Sequence, residues 1–131
     1  MIKHKRITTA TAVPYRTHAD VLNNCFDLGR RYIAYQRATR KITDGYVVWF
    51  PDVTMHPTTD WRNVLSPGHT EIHQYWPNAT AGNIESKLTD RRIVFAKIRP
   101  QEYLFVGVFE KTRTFNDHNV YTRIATEWPL P

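Results

Sequence analysis

Asp52, Glu85 and Lys87 are the side chains in this 131-residue sequence whose types could cut a phosphodiester. Two carboxylates can hold a hard divalent cation, and a nearby lysine can assist the attacking water. Asp52 stands in Pro51-Asp52, directly after the run Tyr46–Phe50, and Glu85-Ser86-Lys87 follows further along. Such a site needs its second half on a strand close behind the first. Here the hairpin pattern from Trp61 to Tyr75 intervenes, and Ala81-Gly82-Asn83-Ile84-Glu85-Ser86-Lys87-Leu88 reads as a turn or short helix. The cutting constellation is therefore the alternative reading, not the main one.

Other catalytic patterns fail on spacing. His56-Pro57-Thr58 has a His-x-Thr form with no second copy, because His69 is followed by Thr70-Glu71 and His118 by Asn119-Val120. His69 and His73 would share one face of a strand, with no third metal ligand nearby. The five glycines are scattered singly, so no phosphate-cradling loop is present. Cys25 lies among apolar neighbours, where an inert core thiol is expected. No metal and no cofactor is expected.

The aromatic residues are more informative. Trp49, Phe50, Trp61, Tyr75 and Trp76 fall in one 28-residue window that holds three of the four tryptophans. A base held outside its stack needs flat aromatic walls and a few polar groups for its edge. Asp52 would then accept from a base's amino group. The same rings could instead fill a small β-core, so pocket and core both stay open here.

Charge points the same way. The net charge is +6, and Met1–Lys41 holds nine Lys/Arg against only Asp20 and Asp27, whereas the rest of the chain is close to neutral. Positive charge concentrated in this way suits a polyanion such as nucleic acid. Thr17-His18-Ala19-Asp20 marks a helix start. Val21, Cys25, Leu28, Tyr32, Tyr35 and Thr39 then recur at spacings of four and three, which predicts a basic amphipathic helix over about 18–40. Gly29 could divide it into two shorter ones. Arg30, Arg37 and Lys41 would lie opposite the apolar stripe with Arg31 and Arg40 on its flanks, and these five are the expected phosphate contacts.

From Thr43-Asp44-Gly45 onward the pattern is that of strands: Tyr46–Phe50, Trp61–Leu65, Thr70–Tyr75, Ile93–Ile98, Tyr103–Glu110 and Val120–Thr126. Ser66-Pro67-Gly68-His69 and Arg99-Pro100-Gln101-Glu102 read as hairpin turns. Gly107, among large side chains, marks a bulge or sharp bend. The expected fold is a single α+β domain over 1–131, with the β-rich part at about 45–126. It should be a mostly antiparallel, curled sheet of five to six strands, or a small barrel, with one long or two short N-terminal helices. No segment approaches the roughly 20 apolar residues of a membrane span. The opening residues do not read as an export signal and the lone cysteine excludes an internal disulfide, so a cytoplasmic protein is expected.

Arg91–Glu110 (RRIVFAKIRPQEYLFVGVFE), Val120–Ala125 (VYTRIA) and Trp61–Gln74 (WRNVLSPGHTEIHQ) resemble segments of bacterial and phage proteins linked to restriction and mobile elements. Their expected shape is similar to the PUA-like barrels, which include EVE and SRA modules that read modified bases. The resemblance covers about residues 45–126 and implies a nucleic-acid-reading module with DNA or RNA as partner. No position matches a defined pocket motif, so no binding residue is carried over. The likeness to PD-(D/E)xK nucleases is confined to Pro51-Asp52 and Glu85-Ser86-Lys87. A third class, a small anti-defence or adaptor protein that binds another protein, would show an exposed apolar patch without salt-dependent affinity for nucleic acid.

Overall fold

The computed structural model describes residues 6–54, 62–76 and 91–131. In chain order these form β1 (Ile7–Thr8), α1 (His18–Cys25), β2 (Thr39–Thr43), β3 (Tyr46–Trp49), β4 (Arg62–Leu65), β5 (Glu71–Tyr75), β6 (Arg91–Arg99), β7 (Glu102–Thr114), β8 (His118–Ala125) and β9 (Glu127–Trp128).

The helix begins where its cap requires. Thr17 is extended, and its hydroxyl accepts a 3.0 Å hydrogen bond from the Asp20 amide. It ends at Cys25, much earlier than the periodicity predicts, and this corrects the expected helix over 18–40. Asn23 accounts for the stop. Its side chain donates to the Tyr32 carbonyl at 2.8 Å and accepts from the Tyr32 amide at 2.7 Å, so a side chain replaces the helical ladder. Gly29 lies at a φ of +78°, outside any helix. The apolar stripe is still buried or half-buried at Val21, Cys25, Leu28, Tyr32 and Tyr35. It reaches the core through an irregular connector rather than as one helical face, and residues 39–43 become a strand.

Seven strands form one sheet in the order β2-β3-β6-β7-β8-β5-β4, and β1 pairs with β9 in a separate ribbon. The sheet is mixed, with β3 parallel to β6 and the other neighbours antiparallel. The seventh strand is β2, taken from the stretch expected to be helical. The order leaves β2 and β4 as open edges, so the sheet is not closed into a barrel. The register slips at Val94/Phe95 and at Val108/Phe109 on either side of Gly107. Gly107 has a φ of +130°, and a Cβ there would meet the Arg123 Cδ at 2.5 Å and the Ala125 carbonyl at 2.8 Å. Only glycine fits, and the expected bend is found at that point.

β6 and β7 are buried on both faces, which explains their unbroken apolar runs Ile93–Ala96 and Phe105–Phe109. On one face α1 and the connector cover Val48, Phe50, Ile93, Phe95 and Phe105. On the other, Trp49, Ile72, Val94, Ala96, Val106, Phe109 and Tyr121 form a second cluster with no helix of the described residues upon it.

Candidate functional site

The alternation of side chains along a strand divides the expected aromatic set. Phe50 belongs to the helix-covered face, where the His18 ring stacks on it at 4.0 Å. Trp49 points to the opposite face and is only 3 % exposed. Its ring centroid lies 4.9 Å from that of Tyr121. Tyr75 stacks on His118 at 4.4 Å with the Arg62 guanidinium 4.2 Å from its ring. That places it on the side opposite its strand neighbour Gln74. Trp76, 8 % exposed, directly follows β5, and its indole N–H is buried without a hydrogen-bond partner. Trp61 lies outside the described residues. The expected single pocket wall is therefore divided between two faces.

The charged residues divide in the same way. Arg30 and Arg40 serve Tyr32: the Arg30 guanidinium lies 4.4 Å from its ring, and Arg40 donates to its hydroxyl at 2.9 and 3.1 Å. Arg31 and Arg37 are exposed on the connector. Lys41 is in register with Val47, which pairs with Arg92, which pairs with Phe109. Lys41 and Arg92 thus belong to the Trp49 face. Arg92 sits over both of its rings, 4.6 Å from Trp49 and 4.7 Å from Tyr121, a doubled cation–π contact. Lys111 is opposite Tyr121 on the same face. Neither Arg92 nor Tyr121 is among the site residues that the sequence alone picks out.

Beside the aromatic pair lies a row of polar side chains. Asn63 at 8 % and Asn119 at 3 % exposure are the buried polar residues among those described. Both are in register with Gln74, one from each side. Asn119 donates to the Gln74 Oε1 at 3.1 Å and accepts from the Thr114 hydroxyl at 2.9 Å. The Asn63 Oδ1 is buried and has no partner. Buried polar groups are nearly always paired, so the unpaired Asn63 carbonyl is an unusual feature of a face with no helix of the described residues upon it. In the alternation these asparagines stand in phase with Leu65 and Tyr121, at positions an apolar residue would ordinarily take. That phase signal is present in the sequence.

The metal reading finds no support in the geometry. The Asp52 Oδ1 accepts from the Thr54 amide at 2.9 Å and from its hydroxyl at 2.6 Å, and Oδ2 faces the Lys97 ammonium at 3.8 Å. This is a turn-closing carboxylate. Glu85 and Lys87 lie outside the described residues. Among the described residues no group of three His, Cys, Asp or Glu could hold a metal. Across the sheet, an open cleft of about 450 Å³ lies between α1 and the β6–β7 turn, lined by Arg16, His18, Tyr35, Lys97 and Tyr103. Arg16 is engaged by Gln101 and Lys97 by Asp52. Burial pushes the His18 pKa below its ordinary value; nearby Tyr35 and Arg37 carbonyls oppose this and Lys97 reinforces it.

The SRA (SET and RING associated) domain profile matches residues 1–130. The chain belongs to this family. The PUA-like resemblance of its strands is thereby confirmed, as is the reading of a nucleic-acid-binding module. This SRA domain is also similar in structure to the 5-hydroxymethylcytosine-specific restriction enzyme AbaSI, with a TM-score of 0.77 and 29% identity. The match covers 93% of this chain and 41% of that enzyme, so this SRA domain spans about two-fifths of its length. A search of curated proteins returns no match. No helix of the described residues is long and apolar enough to cross a membrane.

Proposed function

We propose that this SRA domain binds DNA and reads a modified cytosine turned out of the duplex onto the side of its sheet that carries Arg92, Trp49 and Tyr121. The observation that carries the reading is one of placement. An aromatic pair capped by Arg92, two further cations and the buried polar residues all share the face on which no helix of the described residues lies. Arg92 offers a planar cation that can stack on a base, and the buried Trp49 and Tyr121 rings beneath it hold it in place. Lys41 and Lys111 would take flanking phosphates, with Arg31 and Arg37 reaching others from the connector. Arg30 and Arg40 would act through Tyr32, by holding the connector. Asp52 would support the face through its turn.

The similar enzyme is specific for 5-hydroxymethylcytosine, which makes that base the first to test. The test is binding of duplex oligonucleotides carrying cytosine, 5-methylcytosine or 5-hydroxymethylcytosine at one position, over a range of salt, with and without magnesium. Binding without cleavage, with a preference for a modified base that is lost in Trp49→Ala or Tyr121→Ala variants that still fold, supports the reading. Loss of a stacked base costs on the order of 1–3 kcal/mol. Equal affinity for all three duplexes would remove it.

A further inference from the structure

We infer that Ile33, held out from the connector between α1 and β2, is a wedge that enters the base stack of bound duplex DNA and makes binding sensitive to how easily one base step opens. The inference rests on the DNA-binding function above and adds a readout that the modified base does not supply. Ile33 is 96% exposed, more than any other large apolar side chain among the described residues. A single exposed apolar residue is ordinary. What sets this one apart is how firmly the backbone on either side of it is held. The Tyr32 amide and carbonyl are both bonded to the Asn23 side chain, and the Arg40 guanidinium donates to the Tyr32 hydroxyl. The Tyr35 hydroxyl donates to the Thr39 carbonyl at 2.8 Å, and the two tyrosine rings meet edge to face with centroids 5.4 Å apart. Tyr32 is buried and Tyr35 packs against the core, so Ile33 and Ala34 between them are carried on a fixed loop that turns the Ile33 side chain to solvent.

The surroundings fix the kind of partner. Residues 28–43 hold five Lys/Arg and no Asp or Glu, and Arg31 and Arg37 are exposed on either side of Ile33. A protein partner would need a contiguous apolar patch, whereas Ile33 stands with Ala34 among Arg31, Gln36 and Arg37. One aliphatic side chain between guanidinium groups is instead the pattern of a minor-groove contact, in which cations hold the strands and an apolar wedge separates two base pairs. Branching at Cβ leaves Ile33 little rotamer freedom to lose on insertion. The connector runs directly into β2, the sheet edge that carries Lys41, so a duplex along that edge meets the wedge and the Trp49 face together. Unstacking is easiest at pyrimidine–purine steps and hardest in stiff A-tracts. The wedge therefore favours a flexible step near the modified base without touching a base edge.

The test uses duplexes that carry one 5-hydroxymethylcytosine or one plain cytosine, with each nearby step in turn made either TA or AA and a 2-aminopurine in place of an adenine of that step. Affinity is measured by fluorescence anisotropy of an end label, and unstacking by the 2-aminopurine emission. The wild-type protein should bind several-fold more tightly when TA replaces AA at one position, and the emission should rise there. Ile33→Ala should lose the step preference and the rise at that position while keeping its preference for the modified base, and Ile33→Leu should retain all three. Ile33 lies outside the core, so its replacement leaves the packing intact, and circular dichroism checks each variant. A step preference that is absent in the wild type, or that survives in Ile33→Ala, would overturn the wedge alone. So would weaker binding by Ile33→Ala that is equal for every step. Equal wild-type affinity for modified and plain cytosine, with an emission rise that depends on Ile33, would overturn base reading and leave the wedge in place. No binding to any duplex would overturn both.

Discussion

The two faces of the sheet use aromatic side chains differently, and the helix-covered face carries more of them. On the helix-covered face, Phe50, Phe95, Tyr103 and His18 pack edge and face against one another under α1. On the other face, Trp49 and Tyr121 are covered by a guanidinium, and the neighbouring row ends in an unpaired carbonyl. Desolvating a polar group without a partner is costly, so a core built only for stability avoids it. The difference teaches where to look for the ligand. Unmet hydrogen-bonding capacity lies on both faces, at the Asn63 Oδ1 and at the His18 Nδ1, and what sets the Asn63 face apart is the doubled cation–π cap on its aromatic pair. The helix-covered face is its support.

The sharpest way to break this division is to damage the support. Phe95 is fully buried in the helix-covered cluster. Phe95→Ala should cost about 3–5 kcal/mol of folding stability. That is a large part of the roughly 5–15 kcal/mol typical of a domain, and urea unfolding measures it. A decrease below about 1 kcal/mol would mean that this cluster does not hold the sheet up. Gly107→Ala comes next. Its φ of +130° and its 2.5 Å approach to the Arg123 side chain leave no room for a methyl group. A decrease of about 1–3 kcal/mol is expected from the strained backbone alone, and unchanged stability would show that the bend does not depend on glycine.

The strands are legible because their signal is local. Six runs of apolar and β-branched residues between Pro, Gly and Asn turns sit within a few residues of β3 to β8. Gly107 announces its bend because nothing else explains a glycine among such large neighbours. The helix is overextended by the same kind of reading, because the stripe from Val21 to Tyr35 records burial and not the route by which the chain reaches the core. Asn23 decides that route through two hydrogen bonds to a residue nine positions away, which no periodicity reveals. The site is half legible for the same reason. Trp49 and Trp76 stand out by type, but Tyr121, Arg92 and the Asn63–Gln74–Asn119 row meet only through the register of strands distant in sequence. Lys41 stands out as part of an expected helix and reaches the Trp49 face as part of a strand.

The division into faces also predicts how charge removal divides. Lys41→Gln and Arg92→Gln, each on the Trp49 face, should weaken DNA binding several-fold. Each should also lower the slope of log affinity against log salt by about one for every phosphate no longer neutralised. Arg30→Gln is the sharpening control, because Tyr32, on which its guanidinium is stacked, belongs to the helix-covered cluster. Its salt slope should stay closer to that of the wild type, with a small decrease in stability of about 0.5–1 kcal/mol for the cation–π pair. If Arg30→Gln reduces the slope as much as Arg92→Gln does, DNA does not choose between the faces in the way proposed.

The smallest expected effect belongs to His18, the ionisable ring packed into the support. Burial holds its pKa below the ordinary value, against the pull of the Tyr35 and Arg37 carbonyls and with help from Lys97. The folded state therefore binds this proton less readily than the unfolded chain. Stability should be full above about pH 6.5 and should fall as pH drops from there through the folded value, levelling off below it. Hydrogen bonds from His73 and His118 lower the pKa of Glu71 and Asp117, whose contribution is present above the ordinary carboxylate range and disappears only in more acidic solution. His18→Phe keeps a flat ring against Phe50, from which the imidazole is now 4.0 Å at an interplanar angle of 7°, and removes the titration. Thermal unfolding from about pH 8 down to about pH 5 should then show a shallower decline in the variant than in the wild type. Measured from each protein's own value at neutral pH, the gap between the two curves should be widest at the acid end. Parallel curves would mean that the imidazole takes its proton in the folded protein as easily as in the unfolded chain, and that the helix-covered face is wetter around His18 than its packing against Phe50 and Tyr103 implies.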